Sequence, residues 1–392
     1  MVGMRTTRVV ENESGLGATL DRWREDGGVN AIFATTRSSD GYAATPHPQY
    51  YANTILGPPY SGGDALEPLI KESAERALAV YSTLTEASSA DQARQVPGWV
   101  DVLEVDVFGR RGSSPCFRNP DYRNLWLSIT EDQVKSYPLD GICFASDRLT
   151  PLGEVLRCVA GGPRVEPIAP ACFCLHCQAQ AGRQKIDVDR AREGYRQLLD
   201  PAGPTAHTSA GGENPVVVVF RILLRYPEVV AWEMLWVQAY LGLQQQMFGA
   251  VKAVAPQVSV GWQIPEQYAH SPLYRAQDPL AERWRYADFL CHSTVRRRPV
   301  TQGVLGLQAS TADASATAVL GDLIPALVGI ETPGGGADRP QAYVQIGTCS
   351  DVAPALEAGA NGVIYAETLA RDEVGAQLKA VGRAVSRMGD KT

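Results

Sequence analysis

Histidine is scarce, at 5 residues in 392, so a metal centre built from imidazoles has little to draw on. No apolar run approaches the ~20 residues that span a bilayer. The start, Met1-Val2-Gly3-Met4-Arg5-Thr6-Thr7-Arg8, lacks an apolar core followed by a small-residue cleavage site. The expectation is a cytoplasmic protein with no membrane partner. Positive charge is in deficit: 36 Lys and Arg against 43 Asp and Glu leave a net charge of −7, which argues against a nucleic-acid partner. There is no Gly-x-Ser-x-Gly elbow, which removes that class of serine hydrolase. With 8 cysteines at this length, a disulfide scaffold is excluded and a reducing compartment implied.

What the chain does have is a series of short apolar runs separated by helix-sized segments. They are Val29–Thr36, Ala77–Thr85, Val102–Phe108, Gly141–Asp147, Val258–Ile264, Ala287–Thr294, Ala342–Thr348 and Gly362–Glu367. Runs rich in β-branched and aromatic residues fit strands buried on both faces, as in a parallel sheet. Between them, helical spacing and start or stop signals predict helices over Asp121–Tyr137, Val188–Leu199, Pro227–Ala255, Val352–Ala358 and Glu373–Met388. Strand and helix alternating eight times predicts an α/β fold, a single (β/α)8 TIM barrel over residues 1–392 with long βα loops. An open doubly wound sheet is the rival.

In such a barrel the chemistry lies at the C-terminal strand ends. That rule selects Tyr42 and His47 after the first run, Asp106 and Arg110 at the third, and Asp147 and Arg148 at the fourth. It adds Trp262, Gln263 and Glu266 at the fifth, His292 at the sixth, Gln345 at the seventh and Glu367 at the eighth.

Within a Cys-rich loop over 158–186, Cys172, Cys174 and Cys177 form a Cys-x-Cys-x-x-Cys cluster. Three thiols in six residues can converge on one ion, and thiolates select zinc or an iron–sulfur centre. Cys116 or His176 could complete a tetrahedral set. Cys116 is favoured, because its loop follows the neighbouring strand. A structural zinc is the expected cofactor, with no organic cofactor.

Among carboxylates, Asp147 ends an apolar strand, where an unpaired charge is costly; Arg148 beside it could simply pair with it. Glu233 lies in an apolar helical stretch and needs a partner or a raised pKa. It is read either as an acid catalyst or as a satisfied core glutamate. Carboxylates with Tyr42, Trp236, Trp262 and Tyr268 at a barrel mouth suit sugar chemistry, because aromatic faces stack on sugar rings and two acids divide the work on a glycosidic bond.

The order Asn119-Pro120-Asp121-Tyr122-Arg123, Leu139–Phe144, Ser146-Asp147-Arg148 and Pro151-Leu152 is followed by the cysteine cluster. After it come Gln178–Ala181, Ile186-Asp187, Pro227-Glu228, Trp232-Glu233, Val260-Gly261-Trp262 and Tyr274-Arg275-Ala276. Together, over roughly residues 29–370, these resemble the glycoside-hydrolase-like TIM-barrel proteins, which are similar to family-10 and β-galactosidase-type barrels. The resemblance implies a (β/α)8 fold and a sugar-directed site, with a working carboxylate at the end of strand four. That position is Asp147 here, where glutamate is expected, and Gln263 stands where histidine is more typical. The segment Tyr343–Thr348 holds no acid, although such retaining barrels carry a glutamate at the end of strand seven.

The reading is a glycoside hydrolase acting on an oligosaccharide or small glycoside. Asp147 is paired with Glu233 or Glu367, while Tyr42, His47, Asp106, Arg148, Trp236, Trp262 and Gln263 contact the substrate. The partner is a carbohydrate, with a homo-oligomer left open. The alternatives are a sugar-binding barrel that has lost catalysis and a metal-dependent sugar isomerase or lyase.

Overall fold

The computed structural model describes residues 1–6, 15–36, 66–86, 98–146, 148, 150–159, 171–200, 214–264, 284–293, 341–346, 352–357, 359–365, 379 and 383. The strands are β1 Val2–Thr6, β2 Ala31–Thr35, β3 Ala79–Thr85, β4 Leu103–Val105, β5 Arg111–Pro115, β6 Gly141–Ala145, β7 Ser259–Ile264, β8 Phe289–Ser293, β9 Gln341–Ile346 and β10 Gly362–Tyr365. Eight of them close a parallel barrel in the order β1-β10-β9-β8-β7-β6-β3-β2. The TIM-barrel expectation is met, and the open sheet is excluded because β1 pairs with both β2 and β10.

Two strands differ from the sequence reading. The first wall strand is Val2–Thr6, whose Gly, Arg and Thr break the apolar run that marks the others. The run Val102–Phe108 is not in the wall. Its residues 103–105 form an antiparallel pair with β5 outside the barrel. The segment alternates apolar and acidic residues, the pattern of a strand with two unlike faces rather than of one buried on both. The two differences cancel in the count, so Gly141–Ala145 remains the fourth wall strand.

The stagger of the strands stacks inward-facing side chains in layers drawn from alternate strands. The lowest holds Ala31, Gly141, Phe289 and Gly362, and the next Gly3, Tyr81, Gly261 and Tyr343. Large and small residues interlock there. A Cβ on Gly261 would stand 2.0 Å from the Phe289 ring, and one on Gly141 2.4 Å from the Tyr81 ring. Above lie Phe33, Cys143, Cys291 and Ile364. The uppermost complete layer is Arg5, Thr83, Gln263 and Gln345. Apolar side chains thus fill the N-terminal half, and polar ones gather at the C-terminal end.

The helices clothe the wall. Pro120–Ser136 starts where Asn119 accepts hydrogen bonds from the N–H groups of Asp121 and Tyr122. Val188–Leu199 has the expected bounds. The predicted Pro227–Ala255 segment is the 27-residue helix Glu228–Val254, preceded by an unanticipated helix, Pro215–Arg225. Between the fourth and fifth wall strands, the helices Pro151–Val159, Leu175–Arg183, Val188–Leu199 and Pro215–Arg225 pack with the start of Glu228–Val254 around a second apolar cluster. The predicted helix Glu373–Met388 lies almost wholly outside the described residues. Among the described residues, no helix is long and apolar enough to cross a membrane.

Candidate functional site

At the C-terminal end of the barrel, Arg5 Nη1 donates to Gln263 Oε1 at 2.7 Å and to Gln345 Oε1 at 2.9 Å. One guanidinium nitrogen thus ties the first, fifth and seventh wall strands together. The Thr35 and Thr83 hydroxyls, on paired residues of β2 and β3, are buried without a partner. Gln263 sits in the interior layer as the strand-end rule anticipates. Arg5 escaped that rule because its strand was not recognised. Trp262, one residue from Gln263, faces the other way. It stacks on Phe144 with centroids 4.7 Å apart and donates to the Tyr286 carbonyl. This corrects its reading as a sugar platform at the rim: strand alternation turns it into the helical layer.

A second group lies over the ends of the third and fourth wall strands, centred on Arg148. Its guanidinium bonds Glu86 at 3.1 Å, Glu104 at 2.7 Å and the Pro115 carbonyl at 2.7 Å, with the Phe117 ring 4.1 Å from Cζ. Trp236 flanks the same guanidinium at 5.7 Å. Glu86 also accepts from Tyr122 Oη at 2.6 Å and from Ser146 Oγ at 2.7 Å. Burial pushes the Glu104 carboxyl up to about 7; Arg148 opposes the shift and Glu86 adds to it. Burial works against the Arg148 charge, yet Glu104 and Glu86 outweigh it and hold the proton more firmly than usual. Arg148 was expected to pair with Asp147 or bind substrate hydroxyls. Among the described residues its acidic partners are Glu86 and Glu104, neither of which the sequence reading selected; Asp147 lies outside the described residues. Glu86 directly follows an apolar run and could have been found by extending that strand one residue. Glu104 is brought in by the β4–β5 hairpin and carries no such signal.

The remaining sequence-selected acids are placed as follows. Asp106 lies outside the barrel, in the turn after β4. It accepts from the Phe108 and Arg110 amides at 2.9 and 2.8 Å and pairs with Arg110 Nε at 2.8 Å. This corrects its reading as a substrate contact, because a turn carboxylate so engaged holds its own backbone. Glu233 is 2% exposed within the second apolar cluster, and its Oε2 accepts from the Leu152 amide at 2.9 Å and Tyr195 Oη at 3.3 Å. Burial pushes its carboxyl up to about 7, opposed by bonds from Thr150, Leu152 and Tyr195. Only Oε2 is engaged, receiving an N–H from the first turn of helix Pro151–Val159, while the buried Oε1 has no hydrogen-bond partner among the described residues. Tyr42, His47, Asp147, Glu266, Tyr268 and Glu367 lie outside the described residues.

The cysteine set assembles. The Sγ atoms of Cys116, Cys172, Cys174 and Cys177 all lie within 4.8 Å of one another. Cys116 is 3.6 Å from Cys177 and 3.7 Å from Cys174, near the edge of about 3.8 Å expected of a tetrahedron with Zn–S of ~2.3 Å. His176 is exposed. The cluster joins the β4–β5 hairpin to the loop after the fourth wall strand, where the Phe173 amide donates to the Val105 carbonyl at 2.6 Å. Hydrogen bonds from Cys116, Cys172 and Cys177 pull the Cys174 thiol far down, whereas bonding to Cys116 holds Cys177 up. Four sulfurs converging within 4.8 Å of one another fit a soft cation, and these four residues would hold it. A metal bound there would cross-link two segments.

No protein-family model matches the sequence, and no curated protein matches it. The fold is similar to solved glycoside hydrolases. Against the glycoside hydrolase domain of PgaB (BpsB) from Bordetella bronchiseptica the TM-score is 0.54 at 13% identity, covering 98% of this chain and 96% of that one. For a β-galactosidase from Rahnella sp. R3 it is 0.55 at 13%, covering 99% and 56%. For a GH42 β-galactosidase from G. stearothermophilus it is 0.53 at 11%, covering 99% and 56%. The chain therefore spans a little over half the length of those two β-galactosidases, and what it shares with all three is the closed eight-stranded parallel barrel.

Proposed function

We propose that this chain is a glycoside hydrolase acting on an oligosaccharide or small glycoside at the C-terminal mouth of its barrel. The observation that carries the reading is the polarity of the interior. Apolar layers close the N-terminal half, and hydrogen-bonding groups of Arg5, Thr83, Gln263 and Gln345 gather where a barrel's catalytic loops converge. The glycoside hydrolases that share the fold support the same assignment.

Asp147, two residues beyond the fourth wall strand, is the proposed first carboxylate, and Glu367, two residues beyond the eighth, the second. Glu233 keeps its place in the helical core. One acid would protonate the leaving oxygen while the other attacks the anomeric carbon or activates water. A separation of about 5–5.5 Å gives retention and about 6.5–9.5 Å inversion. Tyr42 and His47 are proposed to contact the sugar from the loop after β2. Zinc at Cys116, Cys172, Cys174 and Cys177 would pin the hairpin to the loop after the fourth wall strand, and a reducing, cytoplasmic setting suits four free thiols. The test is turnover of an aryl-glycoside panel: Asp147→Asn should abolish it, and unchanged turnover rejects the assignment.

One observation favours a sugar-binding barrel without catalysis: the seventh wall strand offers Gln345 to the interior and no acid. Binding by calorimetry with no turnover across the panel would establish that reading instead.

A further inference from the structure

Among the described residues, the barrel interior holds a positive charge without a counter-charge. Among the described inward-facing residues there is no aspartate or glutamate, yet Arg5 stands in the uppermost complete layer. Its Nη1 is committed to two neutral carboxamide oxygens, of Gln263 and Gln345. Its Nε and Nη2 have no partner among the described residues. Placing a guanidinium in a half-buried site without a carboxylate is costly, and proteins usually pair such a group.

The surroundings repeat the same bias. Thr35 and Thr83 bring two buried hydroxyls with no partner to the same end of the barrel. Gln263 and Gln345 turn their oxygens to Arg5. With the free edge of Arg5 and the two threonine hydroxyls, the described part of this end of the barrel holds unused donors and no carboxylate acceptor. Below it, Phe33, Cys143, Cys291 and Ile364 close the floor, so an occupant enters only from the mouth.

We infer that the sugar taken at this mouth carries a carboxylate, a hexuronic acid, and that Arg5 reads it together with Thr35 and Thr83. A planar two-oxygen anion matches the guanidinium fork, and threonine hydroxyls complete its acceptor demand. Arg5 is the one charged side chain among the described residues of this layer, and one guanidinium matches a monoanionic carboxylate better than a phosphate dianion. Gln263 and Gln345 are positioning residues, holding Nη1 so that the other edge of the fork stays free. The inference rests on the mouth being a sugar site, and it specifies what kind of sugar.

The test is calorimetry on the full chain with galacturonate and glucuronate, the matching neutral hexoses, the uronate methyl esters and the hexose 6-phosphates. A uronate should bind about 10-fold to 100-fold tighter than its hexose or its ester, the range of a charge-assisted pair. Arg5→Gln should erase that difference. Should Arg5→Gln not fold, Thr83→Val serves, and should weaken uronate several-fold more than hexose. The inference is overturned if hexose, ester or phosphate binds as tightly as uronate, if no sugar binds, or if the uronate preference survives Arg5→Gln. A uronate preference without turnover of any aryl glycoside would sink the hydrolase reading and leave this one standing. Turnover of neutral glycosides with no uronate preference would do the reverse.

Discussion

Cys116 Sγ lies 3.6 Å from Cys177 Sγ, although 61 positions separate them in the chain. The contact brings the hairpin after the third wall strand against the loop after the fourth. An ion held there stabilises the folded state by linkage, about 2.7 kcal/mol at a hundredfold excess over its dissociation constant. Purified protein should carry one equivalent of zinc, and Cys116→Ser or Cys174→Ser should lose it and melt several degrees lower. Full zinc content in Cys116→Ser would remove that residue from the ligand set.

The Arg148 group should be sensitive to truncation. Arg148→Met strands Glu86 and Glu104, whose side chains are 7% and 8% exposed. Removing one partner of a buried ion group costs about 3–5 kcal/mol. Denaturant unfolding at neutral pH should show a loss of that order, smaller at pH 5, where the stranded Glu104 carboxyl, pushed up by burial, is protonated. A loss below about 1 kcal/mol would mean that the group is solvated.

Glu233 makes a signed prediction in pH. Its carboxyl is raised in the folded chain to about 7, so between the ordinary carboxylate range and pH 7 the unfolded chain binds fewer protons. Stability from this group is therefore present at acid pH and is lost as pH rises through that window, by about 3 kcal/mol in total. Glu233→Gln, which keeps an acceptor for the Leu152 amide, should flatten the slope. Urea unfolding from pH 5 to pH 8 reads it, and an unchanged slope would assign the linkage elsewhere.

Gly261→Ala probes the interior layers. The new Cβ would lie 2.0 Å from the Phe289 ring, and overpacking of this kind costs about 1–3 kcal/mol or more. A companion Phe289→Leu should recover part of the loss, because the two residues interlock. Additive effects in the double variant would refute the contact.

The barrel itself was legible from the sequence because seven wall strands are continuous apolar runs. Val2–Thr6 was not, since its role depends on pairing with β10 at the far end of the chain, which no local pattern encodes. Glu104 was hidden for a related reason: a hairpin outside the wall carries it to Arg148. The cysteine set was readable in full because three of its members sit within six residues and the fourth follows the adjacent strand. Trp262 and Gln263 show the limit of a strand-end rule. It finds the right height on the wall, but alternation decides which neighbour looks inward.

Ring closure ties assembly of the mouth to the last strand. The Val363 amide donates to the Met1 carbonyl at 3.0 Å, so β1 is flanked on one side only until Gly362–Tyr365 arrives. Arg5 rides on that strand, and its two carboxamide partners come from β7 and β9. During synthesis, then, the guanidinium finds its seat only after residue 345 has been made. Long-range closures of this sort are slow steps in folding, and here the slow step would also be the one that completes the proposed sugar site.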